Sequence, residues 1–350
     1  MNRDILYALM AAALFGASTP FAKLLVGEVS PLLLGGLLYL GSGVGLSAVR
    51  IIRDGGWQAS GLAAREWPWL LGAIFFGGVL APVALLYGLT STPGSTASLL
   101  LNLEAVLTAV IAWVVFRENA DRRIVLGMIA IVAGGIVLSW PSASAAGGAH
   151  GWFGPVAIAA ACACWAIDNN LTRKVSASDA LFIAGSKGFI AGLVNLTLAL
   201  SLGAHLPGMG ILMATAAVGL FGYGISLVMF VLALRGLGSA RTGAYFSTAP
   251  FIGALVALAL LGESTTPAFW LAAALMSLGV WLHLTEHHTH EHTHFAVEHR
   301  HRHVHDTHHD HAHDGPDSTD LQGSHDHLHR HTKVTHKHPH FPDIHHRHPH

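Results

Sequence analysis

The feature that most constrains this chain is a succession of ten apolar runs, each close to the roughly 20 residues a helix needs to cross a bilayer core. They span 4 to 25, 31 to 52, 67 to 89, 94 to 116, 123 to 140, 152 to 173, 179 to 202, 210 to 234, 239 to 261 and 266 to 284. A lipid interior leaves no water for the backbone, so such runs are read as helices. Only 11% of the residues are charged and the mean hydropathy is +0.50, against about 25% charged in a soluble domain. A water-soluble globule is excluded. Met1 to Arg3 resembles the basic start of a secretory signal, but the first run is too long for one and nine more follow. It is read as a retained span.

Charge divides the chain in two. Through residue 284 there are 13 Lys and Arg against 10 Asp and Glu; from 285 onward there are 6 against 10. Only His150, His205 and His283 precede residue 285, so 24 of the 27 histidines fall in the last 66 positions. Within the apolar region, Arg3, Arg50, Arg53, Arg65, Arg117, Arg122, Arg123, Arg173, Lys174, Arg235 and Arg241 all belong to loops or helix ends on one side. Lys and Arg mark the cytoplasmic side, so both termini are expected in the cytoplasm.

The apolar region repeats itself. A shift of 145 residues lays Leu103 to Glu118 over Thr248 to Glu263 and Gly134 on Gly279. A shift of 150 lays Phe15-Gly16 on Trp165-Ala166 and Lys23 on Arg173, and one of 147 lays Gly41 and Gly45 on Gly188 and Gly192. A five-helix unit is thus duplicated. Five is odd, so the second copy enters from the opposite side and the halves have inverted topology.

These residues resemble the EamA-type transporters of the drug/metabolite superfamily. The resemblance rests on two five-span halves, each with a Phe/Trp-Gly/Ala turn in its first helix. Each fourth helix ends in an apolar-x-Glu element (Phe116-Arg117-Glu118 and Leu261-Gly262-Glu263), and a Gly-containing fifth helix follows. One departure is Ala105, where the second copy has Pro250. The fold class expected is all-α integral membrane, ten helices in two inverted EamA repeats at 1–140 and 151–284, followed by a disordered His-rich tail at 285–350. The resemblance implies a secondary transporter that exports a small metabolite or drug by alternating access, not an enzyme.

Ionisable groups at membrane depth cost about 2.5 to 3.5 kcal/mol on insertion scales and are functional candidates for that reason. Glu104 in the fourth run and Lys187 in the seventh are the leading pair. Glu104 can bind a cationic group or a coupling proton, and Lys187 a substrate carboxylate; the alternative is a structural ion pair between the two. Asp168, in Asp168-Asn169-Asn170, is expected to face cytoplasmic water beside Arg173, with completion of the site as the other reading. Trp165, Tyr39 and Tyr87, with Phe75, Phe76, Tyr223 and Tyr245, are candidates for an aromatic cavity lining. Gly41-x-x-x-Gly45 and Gly188-x-x-x-Gly192 are close-packing motifs, expected at the seam between the repeats. Glu118 and Glu263 suit helix-end anchoring, and Cys162 and Cys164 small-residue packing.

The tail carries histidine in six clusters, many in strict alternation. The candidate metal ligands are His288, His290, His292 and His294; His299, His301, His303 and His305; His308, His309, His311 and His313; and His325, His327, His329 and His331. Further histidines follow at His336 to His340 and His345 to His350. Imidazole suits Ni²⁺, Co²⁺, Cu²⁺ and Zn²⁺, so the tail is expected to bind such a metal, while no cofactor is required. Titration of histidine near 6.5 offers a competing reading as a pH-responsive segment. His290-Glu291-x-x-His294 fits a zinc-protease pattern, yet histidine is so dense here that chance supplies it. No phosphate-binding loop of an ATPase occurs. Expected partners are a small molecule and the bilayer, with a homodimer left open and no nucleic acid. Two other functions remain at this stage: a divalent-metal exporter loaded by the tail, and a non-transporting membrane-tethered metal store or sensor.

Overall fold

The computed structural model describes residues 3–56, 58–116, 122–140, 152–175 and 178–285, and four stretches of the tail, 288–294, 298–303, 325–330 and 334–340. The membrane region is all helical. In chain order its α-helices are α1 (Arg3–Val26), α2 (Pro31–Asp54), α3 (Trp67–Ala73), α4 (Ala81–Ser91), α5 (Gly94–Leu100), α6 (Leu103–Phe116) and α7 (Arg122–Ser139). Then come α8 (Phe153–Thr172), α9 (Ala180–Ser201), α10 (Met209–Val218), α11 (Ser226–Phe246), α12 (Ala249–Leu261) and α13 (Pro267–Leu284).

Among the described residues, seven helical stretches are long and apolar enough to cross a membrane: Arg3–Val26, Pro31–Asp54, Ala64–Ser91, Gly94–Val115, Arg122–Ser139, Ala180–Ser201 and Met209–Leu234. Ala249–Leu261 and Pro267–His283 are apolar but shorter. The eighth helix, α8, has the length, and its polar Asp168-Asn169-Asn170 turn lowers its hydropathy. Large apolar side chains such as Ile52, Trp140 and Met209 stand mostly exposed on the outside of the bundle, as a lipid-facing surface requires.

Two interruptions recur 145 to 146 residues apart. Seven-residue π-helical segments, Ile74–Leu80 and Gly219–Ile225, join α3 to α4 and α10 to α11. Short breaks at Leu101-Asn102 and Ser247-Thr248 separate α5 from α6 and α11 from α12. Both departures correct the continuous runs read for 67–89, 94–116, 210–234 and 239–261. The first break forms with Ala105 where the second copy has Pro250, so proline is not what opens it. Instead Asn102 donates to Leu99 O at 2.9 Å and Thr248 Oγ1 to Tyr245 O at 2.7 Å. In each case a polar side chain satisfies a carbonyl near the interruption.

The packing is reciprocal between the copies. α1 lies along α11 and α12, and α8 along α4 and α6, while α2 packs on α9 and α7 on α13. Backbones approach closely at the α2–α9 seam: a Cβ on Gly188 would stand 2.6 Å from Gly43 N, and one on Gly192 2.4 Å from Leu40 N. Gly41 and Gly45 do not meet α9, as expected of them; they sit against Ala216 and Leu220. Gly36 and Gly43 take that place in α2. One helical turn is 3.6 residues, so positions two and five apart lie on a different face.

Each end of the bundle is tied by charge. At the basic end, Asp179 caps α9 by accepting from Leu181 N at 3.1 Å, and receives Arg50 Nε at 3.1 Å and Arg53 Nη2 at 2.6 Å. At the other end Lys23 Nζ donates to Leu89 O and, at 2.9 Å, to Thr92 O. Glu263 accepts from Gly94 N at 2.6 Å and Ser95 N at 2.8 Å, a helix-end role as its sequence position suggested. Glu118 lies outside the described residues.

Four stretches of the tail have extended backbone. His288–His294 (β1), Glu298–His303 (β2), His325–Arg330 (β3) and Val334–His340 (β4) are strands, β1 antiparallel to β4 and β2 to β3. Alternation of histidine with another residue has the period of a strand.

Candidate functional site

A cavity with an empty volume of about 610 Å³, open mouth included, lies among α1, α2, α6, α8, α9 and α11, and so draws on both copies. Its lining includes Phe15, Tyr39, Glu104, Trp165, Asp168, Asn169, Lys187 and Tyr223. Sites of this kind are mostly apolar with a few convergent polar groups.

Local backbone features place each charge. Glu104 stands in the first turn of α6 and its amide N donates to Leu101 O at 3.0 Å, so the break before α6 sets its position. Asp168 and Asn169 face the cavity from the last turns of α8, and Lys187 from the first half of α9. Lys187 does not pair with Glu104. Its ammonium is bonded to Asp168 Oδ2, and both residues are buried. Thr172 Oγ1 donates to the other Asp168 oxygen at 2.9 Å. Glu104 Oε1 instead accepts from Asn169 Nδ2 at 2.8 Å.

The expectation that Asp168 faces water beside Arg173 is thereby corrected. An aspartate four residues from a helix end can turn either way; burial is tolerable here because Lys187 supplies the countercharge. Sequence reading also missed Asn169 as the partner of Glu104, and Thr172. Their polarity in one helix turn was the available signal.

The π segment Ile74–Leu80 organises the wall behind the charges. Gly77 O accepts from Tyr39 OH at 2.7 Å and Trp165 Nε1 at 3.1 Å, fixing a ring from each copy. A Cβ on Gly77 would lie 1.9 Å from Asp168 Oδ2, so glycine here is what admits the carboxylate. The corresponding Gly222 meets Ser18, at 2.4 Å from its Cβ. Single π turns inside α-helices cluster at functional sites. The glycines Gly77-Gly78 and Gly222-x-Gly224 were visible in the sequence but not distinguishable there from the many others in apolar runs.

Aromatic rings complete the lining. Phe15 lies 5.9 Å from Trp165, 6.0 Å from Tyr223 and 5.4 Å from Phe246, and Tyr39 lies 5.3 Å from Tyr223. Tyr87 is not among them. It is largely exposed on the outside of α4, as is Phe75 on its π segment, and Phe76 and Tyr245 are not in the cavity lining either. Cys162 is buried and its thiol points at Leu100 O, 3.8 Å away, with Cys164 beside it partly exposed. Among the described residues no group of three or more His, Cys, Asp or Glu is placed to hold a metal ion.

Comparison with known proteins agrees with this architecture. An uncharacterized transporter of Methanothermobacter thermautotrophicus is 27% identical over 286 residues, covering 78% of this chain and 83% of that protein. The uncharacterized transporter YetK of Bacillus subtilis is 28% identical over 152 residues, 43% of this chain and 46% of that one. A crystal structure of a protein 20% identical in sequence superposes with a TM-score of 0.62 over 80% of this chain and 95% of its own, a likeness of fold. Residues 2–140 and 152–285 each match the EamA-like transporter family, and the chain is a member of that family: a multi-pass membrane transporter.

Proposed function

We propose that this protein is a secondary transporter that carries a small organic molecule through the cavity by alternating access, the two five-helix halves rocking about the α2–α9 seam. The halves are read as inverted repeats in a bacterial inner membrane, with both termini in the cytoplasm and the cargo exported. The single observation that carries this reading is the distribution of charge in the cavity. Lys187 is engaged by Asp168, whereas Glu104 has one oxygen bonded to Asn169 and faces the cavity among aromatic rings. A carboxylate beside ring faces suits a protonated amine on an apolar or aromatic body, since the ring quadrupole also attracts a cation. Protonation of Glu104 provides the matching coupling step: proton and amine compete for one carboxylate.

The His-rich tail is read as a metal-binding segment at the cytoplasmic face that does not itself define the cargo. Metal as cargo finds less support, because the cavity offers two carboxylates, one of them engaged, and no histidine. The test is transport in proteoliposomes of labelled amines, amino acids and Zn²⁺, compared between the wild type and Glu104→Gln. An amine or amino acid moved by the wild type and not by Glu104→Gln supports the reading. Zn²⁺ as the only species moved would replace it with metal export.

A further inference from the structure

The charged part of the cavity lies toward the basic end of the bundle, with Asp168 in the last turns of α8 and Lys187 in the first half of α9. Toward the other end, α1 runs on from Phe15 in the lining to Lys23, about 12 Å at 1.5 Å per residue. The helices are closely packed along that length: Thr19 of α1, Ala97 and Ser98 of α5, and Ala254 and Ala257 of α12 are buried. Among the described residues, none from Ala81 to Asn102 lines the cavity. A molecule that crosses the bundle has to part these helices.

The tip of the α4–α5 hairpin closes this end. Lys23 donates to Leu89 O and Thr92 O, at the carbonyl end of α4. Glu263 accepts from Gly94 N, Ser95 N and Ser95 Oγ, at the amide end of α5. Each charge complements the helix end it meets. Glu263 belongs to the second copy and the hairpin to the first, so this tie crosses the boundary between the halves. Both charged residues are partly exposed, and the helix-end groups they satisfy are ones that water satisfies as well. Such a tie can be undone and remade, unlike the buried pair of Asp168 and Lys187.

The base of the hairpin is built into the site. α4 follows the π segment Ile74–Leu80, and α5 ends at the break Leu101-Asn102. Hinge motions are absorbed at a few element-terminal residues of this kind. The first interruption carries Gly77 O, which holds Tyr39 and Trp165; the second carries Leu101 O, which receives the amide of Glu104. A displacement of Glu104 or of the two rings therefore acts on the base of the hairpin whose tip is tied. Between base and tip, glycines line the contact with the second copy: a Cβ on Gly88 would lie 2.6 Å from Ile158 Cγ1, and one on Gly154 2.0 Å from Thr92 Oγ1.

We propose that the α4–α5 hairpin is the gate at the end of the bundle opposite the basic end, latched at its tip by Lys23 and Glu263 and hinged at its base in the walls of the cavity. Occupation of the site at Glu104 moves the base, the latch releases, and the hairpin swings away from α12 to connect the cavity with that end. This inference rests on the reading of the cavity as a transport site, and adds which element opens and what holds it shut.

The test uses the full chain with Cys162→Ser and Cys164→Ser, and Ser98→Cys as a reporter. Ser98 is buried against Gly253 of α12, whose Cβ would lie 2.8 Å from its Oγ, so a thiol there is reached from water only when hairpin and α12 part. Alkylation by a water-soluble maleimide is expected to be slow, and to quicken at least tenfold on adding Lys23→Met or Glu263→Ala. A control thiol at Thr215→Cys, buried in α10, should react at an unchanged rate. No change at Ser98→Cys overturns the gate, and so does an equal rise at both positions, which marks the ties as structural. A second arm locks the hairpin. A Cβ on Gly94 would stand 3.5 Å from Ala257 Cβ, within the roughly 3.5–4.5 Å of a disulfide. In proteoliposomes, oxidised Gly94→Cys, Ala257→Cys protein should move labelled tryptamine at least tenfold more slowly than the same protein reduced. Equal rates with the disulfide formed overturn the gate and leave the transport reading intact. A wild type that moves no amine overturns the transport reading, while alkylation at Ser98→Cys still decides whether the latched hairpin opens.

Discussion

The two copies in the membrane region share a scaffold and differ in charge. Each has a glycine in a π segment, Gly77 and Gly222, pressed against the first helix of a copy, and there one meets Asp168 and the other Ser18. The shifts that align the copies set Lys187 against Leu40 and Glu104 against Ala249. Duplication thus supplied the cavity, and substitution within it supplied one carboxylate in the first copy and an ion pair in the second. An inert pair of positions in one copy shows that the scaffold itself does not require the charges of the other.

The largest effect is expected from Lys187→Ala, which leaves Asp168 buried without its countercharge. Breaking a buried pair costs about 3–5 kcal/mol, and thermal unfolding in detergent should show a large loss of stability. Next comes Gly77→Ala, whose Cβ would displace the Asp168 carboxylate and disturb the carbonyl that holds Tyr39 and Trp165; its unfolding temperature should fall further than that of Gly222→Ala, which meets the uncharged Ser18. Glu104→Gln is expected to change stability little, because an amide still accepts from Asn169, yet to lower amine transport tenfold or more.

The smallest effect concerns the basic end. Burial alone would raise the Asp179 carboxyl, but hydrogen bonds from Arg53 and Arg50 more than offset this and hold it below the usual carboxylate range. A group depressed in the folded state contributes stability above its unfolded value, near 3.9, and loses it as pH falls further. The difference in unfolding temperature between wild type and Asp179→Asn should therefore be present at neutral pH and shrink below about pH 4.

The apolar helical character and the two copies were legible because apolar length and sequence repetition are properties of the chain alone. The breaks at Leu101-Asn102 and Ser247-Thr248 and the two π segments were not, since they change backbone hydrogen bonding without changing hydropathy. Glu104 and Lys187 stood out as ionisable groups in apolar runs, but their partners depend on how α6, α8 and α9 meet. Asp168 was misread for that reason: its neighbour in sequence is Arg173 and its partner in space is Lys187. Tyr87 shows the converse, an aromatic residue whose helix turns it outward.

The most direct measurement gives the second copy the side chains of the first, Asp168→Ser together with Lys187→Leu, and follows both unfolding and transport of whichever amine the wild type carries. Replacing a buried pair by uncharged groups is often neutral for stability, so the double variant is predicted to unfold near the wild-type temperature and to have lost transport. A double variant that unfolds normally and transports at the wild-type rate would show the ion pair to be a lock between helices with no part in carrying substrate.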